Sequence, residues 1–146
     1  MSTEADAAKA QAMFAAVVRA LGLLRPDTTP CGQPMSITEA HAIGELHAAG
    51  PLTQQDLADR LRLQKSSVSR LVDELCADGL VNRSPNPADK RSVLLVLTPL
   101  GTRRAKRLDA ARRKLFARLL DQLSRGERRM VIAGLDRLEQ AAHALS

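Results

Sequence analysis

The chain has no Trp and no Tyr, and only two Phe, Phe14 and Phe116. Proteins that grip single strands stack bases on aromatic rings, so little here can hold a single strand or unpaired RNA. Cys31 and Cys76 are the only cysteines, with no Cys-x-x-Cys spacing. That excludes a zinc knuckle and a disulfide framework and fits a reducing compartment. No apolar run approaches the roughly 18 residues of a membrane span. The opening Met1-Ser2-Thr3-Glu4 lacks a charged-then-apolar secretory pattern, so a soluble cytoplasmic protein is expected, with no membrane partner. Also missing are a Gly-rich phosphate loop, a nucleophile elbow, and any Ser–His or Cys–His pairing. Neither an enzyme nor a cofactor is expected.

What is present is a basic chain of 146 residues, a length that suits one compact domain or a small domain with helical extensions. The net charge is +6 and unevenly spread: residues 1–50 hold 3 Lys/Arg against 5 Asp/Glu, and residues 51–146 hold 19 against 11. A basic field attracts polyanions and speeds their encounter. With so few aromatics, a nucleic-acid partner would be a duplex, held through grooves and phosphates.

Residues 5–25 place Phe14, Val17, Val18, Leu21 and Leu24 at three- and four-residue spacing, which predicts an amphipathic helix. Pro26, Pro30, Gly32 and Pro34 then make a loop. Ser36-Ile37-Thr38-Glu39 is a capping box, and the helix it opens carries Ile37, Ala40, Ile43, Leu46 and Ala49 near one face until Gly50-Pro51 stops it. Thr53, with Asp56 three residues on, starts a short helix that buries Leu57 and Leu61. After Arg62-Leu63-Gln64 turns the chain, a second helix runs from about Lys65 to Asp78 on the stripe Val68, Leu71, Val72 and Leu75, with Gly79 at its end.

Leu80 to Arg83 and Ser92 to Leu97 read as strands joined by the projecting tip Ser84-Pro85-Asn86-Pro87-Ala88-Asp89-Lys90-Arg91. Thr98-Pro99 begins a long helix to about Leu123. Ser124-Arg125-Gly126-Glu127 caps a last helix bearing Met130, Val131, Leu135, Leu138 and Leu145. The expected fold is mainly α with a small β wing. Residues 36–98 form the winged helix-turn-helix, and 1–35 with 99–146 a helical dimerisation region.

Two short helices across a three-residue turn are a helix-turn-helix. Ala58 is small where the helices must approach, and Val68 is apolar where the second packs back. Gln64, Lys65, Ser66, Ser67, Ser69 and Arg70 lie at the start of the second helix. None is acidic and each can donate to phosphates or base edges. Asp73, Glu74 and Asp78 come later, where a helix inserted by its N-terminus leaves the groove. Thr53 and Gln54, opening the supporting helix, and Asp89, Lys90 and Arg91 in the tip complete the expected double-stranded DNA contacts. The apolar stripes of the first and last helices exceed what a small winged lobe can cover, which predicts self-association as a homodimer. Twofold symmetry then predicts a pseudo-palindromic operator of roughly 16–22 base pairs.

The stretches Leu52-Thr53-Gln54-Gln55-Asp56-Leu57-Ala58, Lys65 to Leu75 and Asp78-Gly79-Leu80-Val81-Asn82-Arg83 resemble the MarR family of bacterial winged-helix regulators. Most specific is the Asp89-Lys90-Arg91 wing followed by Leu97-Thr98-Pro99-Leu100-Gly101. The close resemblance covers residues 51–101. It implies a dimer with two winged lobes in successive major grooves, and a repressor released by a small-molecule effector. It also implies that Arg91 is the wing arginine that enters the minor groove. Asp89, two residues earlier and read as lying on the same strand, would share its face and orient the guanidinium.

The signal is thinly written. A ligand cleft would lie between the first helix, helix 36–49 and the fifth helix, with Met35 and His41 lining it. Cys31, in a Pro/Gly-rich loop, offers an alternative redox response. However, its nearest basic residue is Arg25, and the N-terminal-helix cysteine of peroxide-sensing members is absent. Cys76 reads as a core thiol. Glu39, His41, Glu45, His47 and Cys31 lie within one loop and helix, but Glu39 and His41 are splayed, so no metal site is expected. A helical interaction protein is the second class; it explains the amphipathic ends but not a basic tip between strands.

Overall fold

The computed structural model describes residues 1–145. Its elements are α1 (Glu4–Ala20), α2 (Ile37–Ala49), β1 (Leu52–Thr53), α3 (Gln54–Leu61), α4 (Lys65–Ala77), β2 (Val81–Pro85), β3 (Val93–Leu97), α5 (Pro99–Asp121) and α6 (Arg125–His143). The chain divides into two compact units, Met1–Arg112 and Arg113–Ser146.

The first unit holds the core. Ile43 and Leu46 of α2, Leu57 and Ala58 of α3, Val68, Leu71, Val72 and Leu75 of α4, Leu95 of β3, and Ala105 and Leu108 of α5 are buried in one cluster. α3 and α4 pack as the helix-turn-helix, with Ala58 and Val68 buried where close approach was expected. Arg62 turns the chain between them in the left-handed conformation. The expected capping boxes are present: Ser36–Glu39, Thr53–Asp56 and Ser124–Glu127, each with the hydroxyl accepting from the third helical amide and the acid reaching back.

β2 and β3 form an antiparallel hairpin in the register Val81↔Leu97, Arg83↔Leu95, Pro85↔Val93. A third strand, β1, completes the sheet in the order β1-β3-β2. β1 was not foreseen: two residues give no periodicity, and Leu52 and Thr53 are extended because they pair with Leu95 and Leu94. Mainly helical with a three-stranded wing sheet, this is the winged helix-turn-helix fold.

Two expectations are corrected. The first helix ends at Ala20 rather than near residue 25. Gly22 adopts φ +72, and the amides of Gly22 and Leu23 return to Arg19 and Val18 carbonyls, which closes the helix early. The wing residues Asp89 to Arg91 lie in the turn between the strands, not on β3, so strand alternation cannot set their side-chain directions.

The α4–α5 junction is tightly built. The Thr98 hydroxyl donates to the Gly79 carbonyl at 2.6 Å and accepts from the Gly101 amide at 3.0 Å, while the Thr98 amide donates to the Leu80 carbonyl at 3.0 Å. One threonine thus caps α5 and holds the chain leaving α4.

The second unit, the end of α5 with α6, contains no buried side chain among its described residues. Phe116, Leu119, Met130, Val131, Ile132, Leu135 and Leu138 are all exposed. α1 likewise has no buried residue and exposes Met13, Phe14 and Val17.

Candidate nucleic-acid interface

Among the described residues, α4 is the one helix whose N-cap side chain makes no capping bond. α1, α2, α3 and α6 each carry a complete capping box, and Thr98 caps α5. At α4 the N-cap is Gln64, extended and without a cap hydrogen bond, and the first turn has no acid. The first amides of a helix have no partner inside it and carry the positive end of the helix dipole. Lys65, Ser66 and Ser67 at this end and Arg70 one turn on are exposed, and Ser69 is half-buried. The buried stripe of Val68, Leu71, Val72 and Leu75 forces these polar residues outward. The end of α4 is therefore an open, electropositive surface of hydrogen-bond donors, suited to phosphates or base edges.

Thr53 and Gln54 are half-buried at the start of α3. The Thr53 oxygen accepts from the Asp56 amide at 3.1 Å, which leaves its hydroxyl proton to donate outward.

The wing tip is organised by its own side chains. Asn86 donates to the Ser92 hydroxyl at 2.8 Å and accepts from the Ala88 amide at 3.0 Å. The Asp89 carboxylate accepts from the Arg91 backbone amide at 2.9 Å. The expectation that Asp89 orients the Arg91 guanidinium is corrected: it binds the backbone and folds the turn. Lys90 and Arg91 are left exposed at the apex.

Sequence reasoning passed over Arg83, on β2, which reaches the flank of α4. Its Nη2 lies 2.6 Å from an Asp73 carboxylate oxygen, and Nη1 donates to the Cys76 thiol at 3.4 Å. Cys76 is accordingly half-buried at the edge of the core rather than within it.

A separate cleft of about 270 Å3 opens between α2 and α5, lined in part by His41, Glu45, Asp109 and Arg112. His41 is one of its lining residues and is exposed. Burial against the cleft wall, with the nearby Arg112 charge, lowers its pKa below the ordinary histidine value. Glu45 is paired to Arg60 of α3 at 3.0 Å. Met35 does not line this cleft, and neither does α1; the Met35 side chain is buried in the core. Cys31 is half-buried against the core, 3.1 Å from the Thr29 hydroxyl. Among the described residues, no three His, Cys, Asp or Glu side chains could hold a metal ion, and no helix is long and apolar enough to cross a membrane.

A helix-turn-helix whose second helix presents an open N-terminus, flanked by a wing with a basic apex, defines a winged-helix DNA-binding regulator rather than an enzyme. The comparisons make the class specific. Residues 33–92 match the family model described as MarR family. An HTH-type transcriptional regulator of Mycobacterium bovis is 31% identical over 133 residues, covering 91% of this chain and 92% of the relative. The chain belongs to the MarR family. Among solved structures, a DNA complex of Staphylococcus aureus MepR is 26% identical with a TM-score of 0.64, over 74% of this chain and 80% of that one. Streptococcus pneumoniae FabT, also solved with DNA, has a TM-score of 0.77 over 94% and 95% of the two chains; at 21% identity it shows the shared fold.

Proposed function

We propose that this chain is a homodimeric, cytoplasmic transcriptional repressor that reads a pseudo-palindromic DNA operator with the open end of α4 and the tip of the wing. The observation that carries the reading is the uncapped α4 N-terminus. Each other helix gives one of its first amides a side-chain acceptor, whereas at α4 no side chain takes one, which leaves that end open to an outside acceptor. Gln64, Lys65, Ser66, Ser67, Ser69 and Arg70 would face the major groove. Lys90 and Arg91 would enter the minor groove, on a turn held by Asp89. Thr53 and Gln54 would take backbone phosphates. That the similar MepR was solved as a complex with DNA supports a DNA partner.

Dimerisation rests on the exposed apolar side chains of α1 and of the 113–145 segment, among them Phe14 at 61% exposure and Met130 at 69%. Single exposed apolar residues are ordinary, but runs along whole helices mark an interface. On this reading residues 1–35 and 99–146 form the dimer and 36–98 read DNA. The α2–α5 cleft, lined in part by His41, would take a small-molecule effector that releases the operator. Cys31, half-buried and bonded to Thr29, offers a redox response little support.

The test is binding of purified protein to duplex from its own promoter, against scrambled duplex and RNA, over a range of salt. A sequence preference with log affinity falling steeply against log salt is expected. Indifference to sequence, or preference for RNA, would overturn the reading.

A further inference from the structure

We infer that Arg83 is a positioning residue for DNA reading: it ties the wing strand to α4 by gripping Asp73 and Cys76, and so fixes the angle between the two DNA-contacting elements. The inference rests on the proposed docking of α4 and the wing.

Arg83 lies two residues beyond buried Val81 on the same sheet face, where the core gives way to the flank of α4. The side chain therefore reaches helix rather than core. Asp73 and Cys76 are three apart on α4, one turn above each other, and both nitrogens of the guanidinium fork are engaged, at 2.6 Å and 3.4 Å. Two anchor points resist rotation of α4 about its axis, which a single contact would not. Helical spacing puts Asp73 on the same stripe as Ser66, Ser69 and Arg70, so holding Asp73 holds the reading edge. The arginine also neutralises a carboxylate on a helix that must approach phosphates.

The pair is exposed, 43% for Arg83 and 67% for Asp73. An exposed pair contributes little to stability, so its effect should appear in recognition rather than in folding.

The experiment compares wild type, Arg83→Ala, Asp73→Ala, the double variant and the swap Arg83→Asp/Asp73→Arg. Anisotropy is measured against a duplex selected by the wild type from a random pool and against a scrambled duplex, at several salt concentrations. Arg83→Ala should lower the selected-to-scrambled affinity ratio about fivefold, the scale of one ion pair, with the melting temperature and salt slope unchanged. In the Asp73→Ala background the same change should have a smaller effect, because only the Cys76 contact is left to lose, and the swap, which rebuilds the ion pair alone, should restore part of the ratio. A salt slope reduced by about one phosphate contact per half-site would show that Arg83 touches DNA directly and overturn the inference. An unchanged ratio, or a swap that fails to rescue, would overturn it too. Hydrogen exchange over residues 81–97 in the DNA-free protein reads the tie without reference to the docking. Faster exchange in Arg83→Ala is expected, and unchanged exchange contradicts the tie even if DNA binding itself fails.

Discussion

A β-carbon on Gly101 would overlap the Leu80 carbonyl oxygen. The first turn of α5 packs directly on the backbone leaving α4, and only glycine leaves room. The Leu97 side chain would also crowd it, with Cδ2 3.1 Å from the position of that β-carbon. This contact gives the Leu-Thr-x-x-Gly stretch a physical meaning: Thr98 binds the Gly79 and Leu80 backbone, and Gly101 lets the helix settle onto it.

Gly101→Ala should therefore cost about 3 kcal/mol or more, because the obstacle is backbone and cannot rotate away. Gly126→Ala, in the first turn of α6 where a β-carbon meets nothing within 4 Å, should be neutral or stabilising by up to about 1 kcal/mol. Thermal unfolding of the two variants checks the contrast; comparable melting temperatures would show that the α4–α5 junction is not tight.

Ser67→Asp should separate stability from DNA affinity. Ser67 is the third helical residue of α4, where an acid favours the helix dipole by about 0.3–1 kcal/mol. Placed at a phosphate-facing end, the same charge should weaken operator binding by at least about tenfold. A melting temperature equal to or above wild type, with reduced affinity by anisotropy, is expected. Retained affinity would show that the α4 N-terminus is turned away from DNA.

Arg91→Ala should lower operator affinity and the salt slope together, since it removes a cation from the groove, while the oligomeric state by light scattering stays as in wild type. Asp89→Ala should act differently. It removes the acceptor that holds the Arg91 amide at 2.9 Å, so it should loosen the tip and reduce affinity without removing a cation, leaving the salt slope in place.

The lowered pKa of His41 makes a pH prediction. Folding favours its neutral form, so in the pH region below the ordinary histidine value the unfolded chain binds more protons than the folded one. This contribution to stability is fully present above the unfolded pKa and is lost as pH falls through the folded value. Melting temperature should therefore drop less on acidification in His41→Gln than in wild type. Parallel pH profiles would place His41 in an ordinary solvated setting.

What the sequence revealed was mostly local. The caps at Ser36, Thr53 and Ser124, the α3–α4 turn and the burial of Ala58 and Val68 follow from spacing and hydrogen-bonding chemistry within a few residues, and the structure has them. Features set by distant partners were not legible. β1 exists only because β3 lies beside it. Met35 was assigned to a cleft but is buried in the core. Asp89 was paired with a guanidinium through strand alternation that a turn does not possess. Arg83 gave no signal, because its partners on α4 lie 7 and 10 residues away in sequence and are brought near by the helix-to-strand reversal at Gly79. The early end of α1 at Ala20 was available in principle from Gly22, but the Ala- and Leu-rich periodicity on either side masked it.

The central claim is tested most directly by selection from a pool of random-sequence duplexes with the purified full chain. Enrichment of two inverted half-sites, with centres about one helical turn (roughly 10 base pairs) apart, is the predicted result, with Ser67→Asp and Arg91→Ala each reducing the enrichment. A pool that remains random, or one that yields a single site without inverted symmetry, would contradict the account.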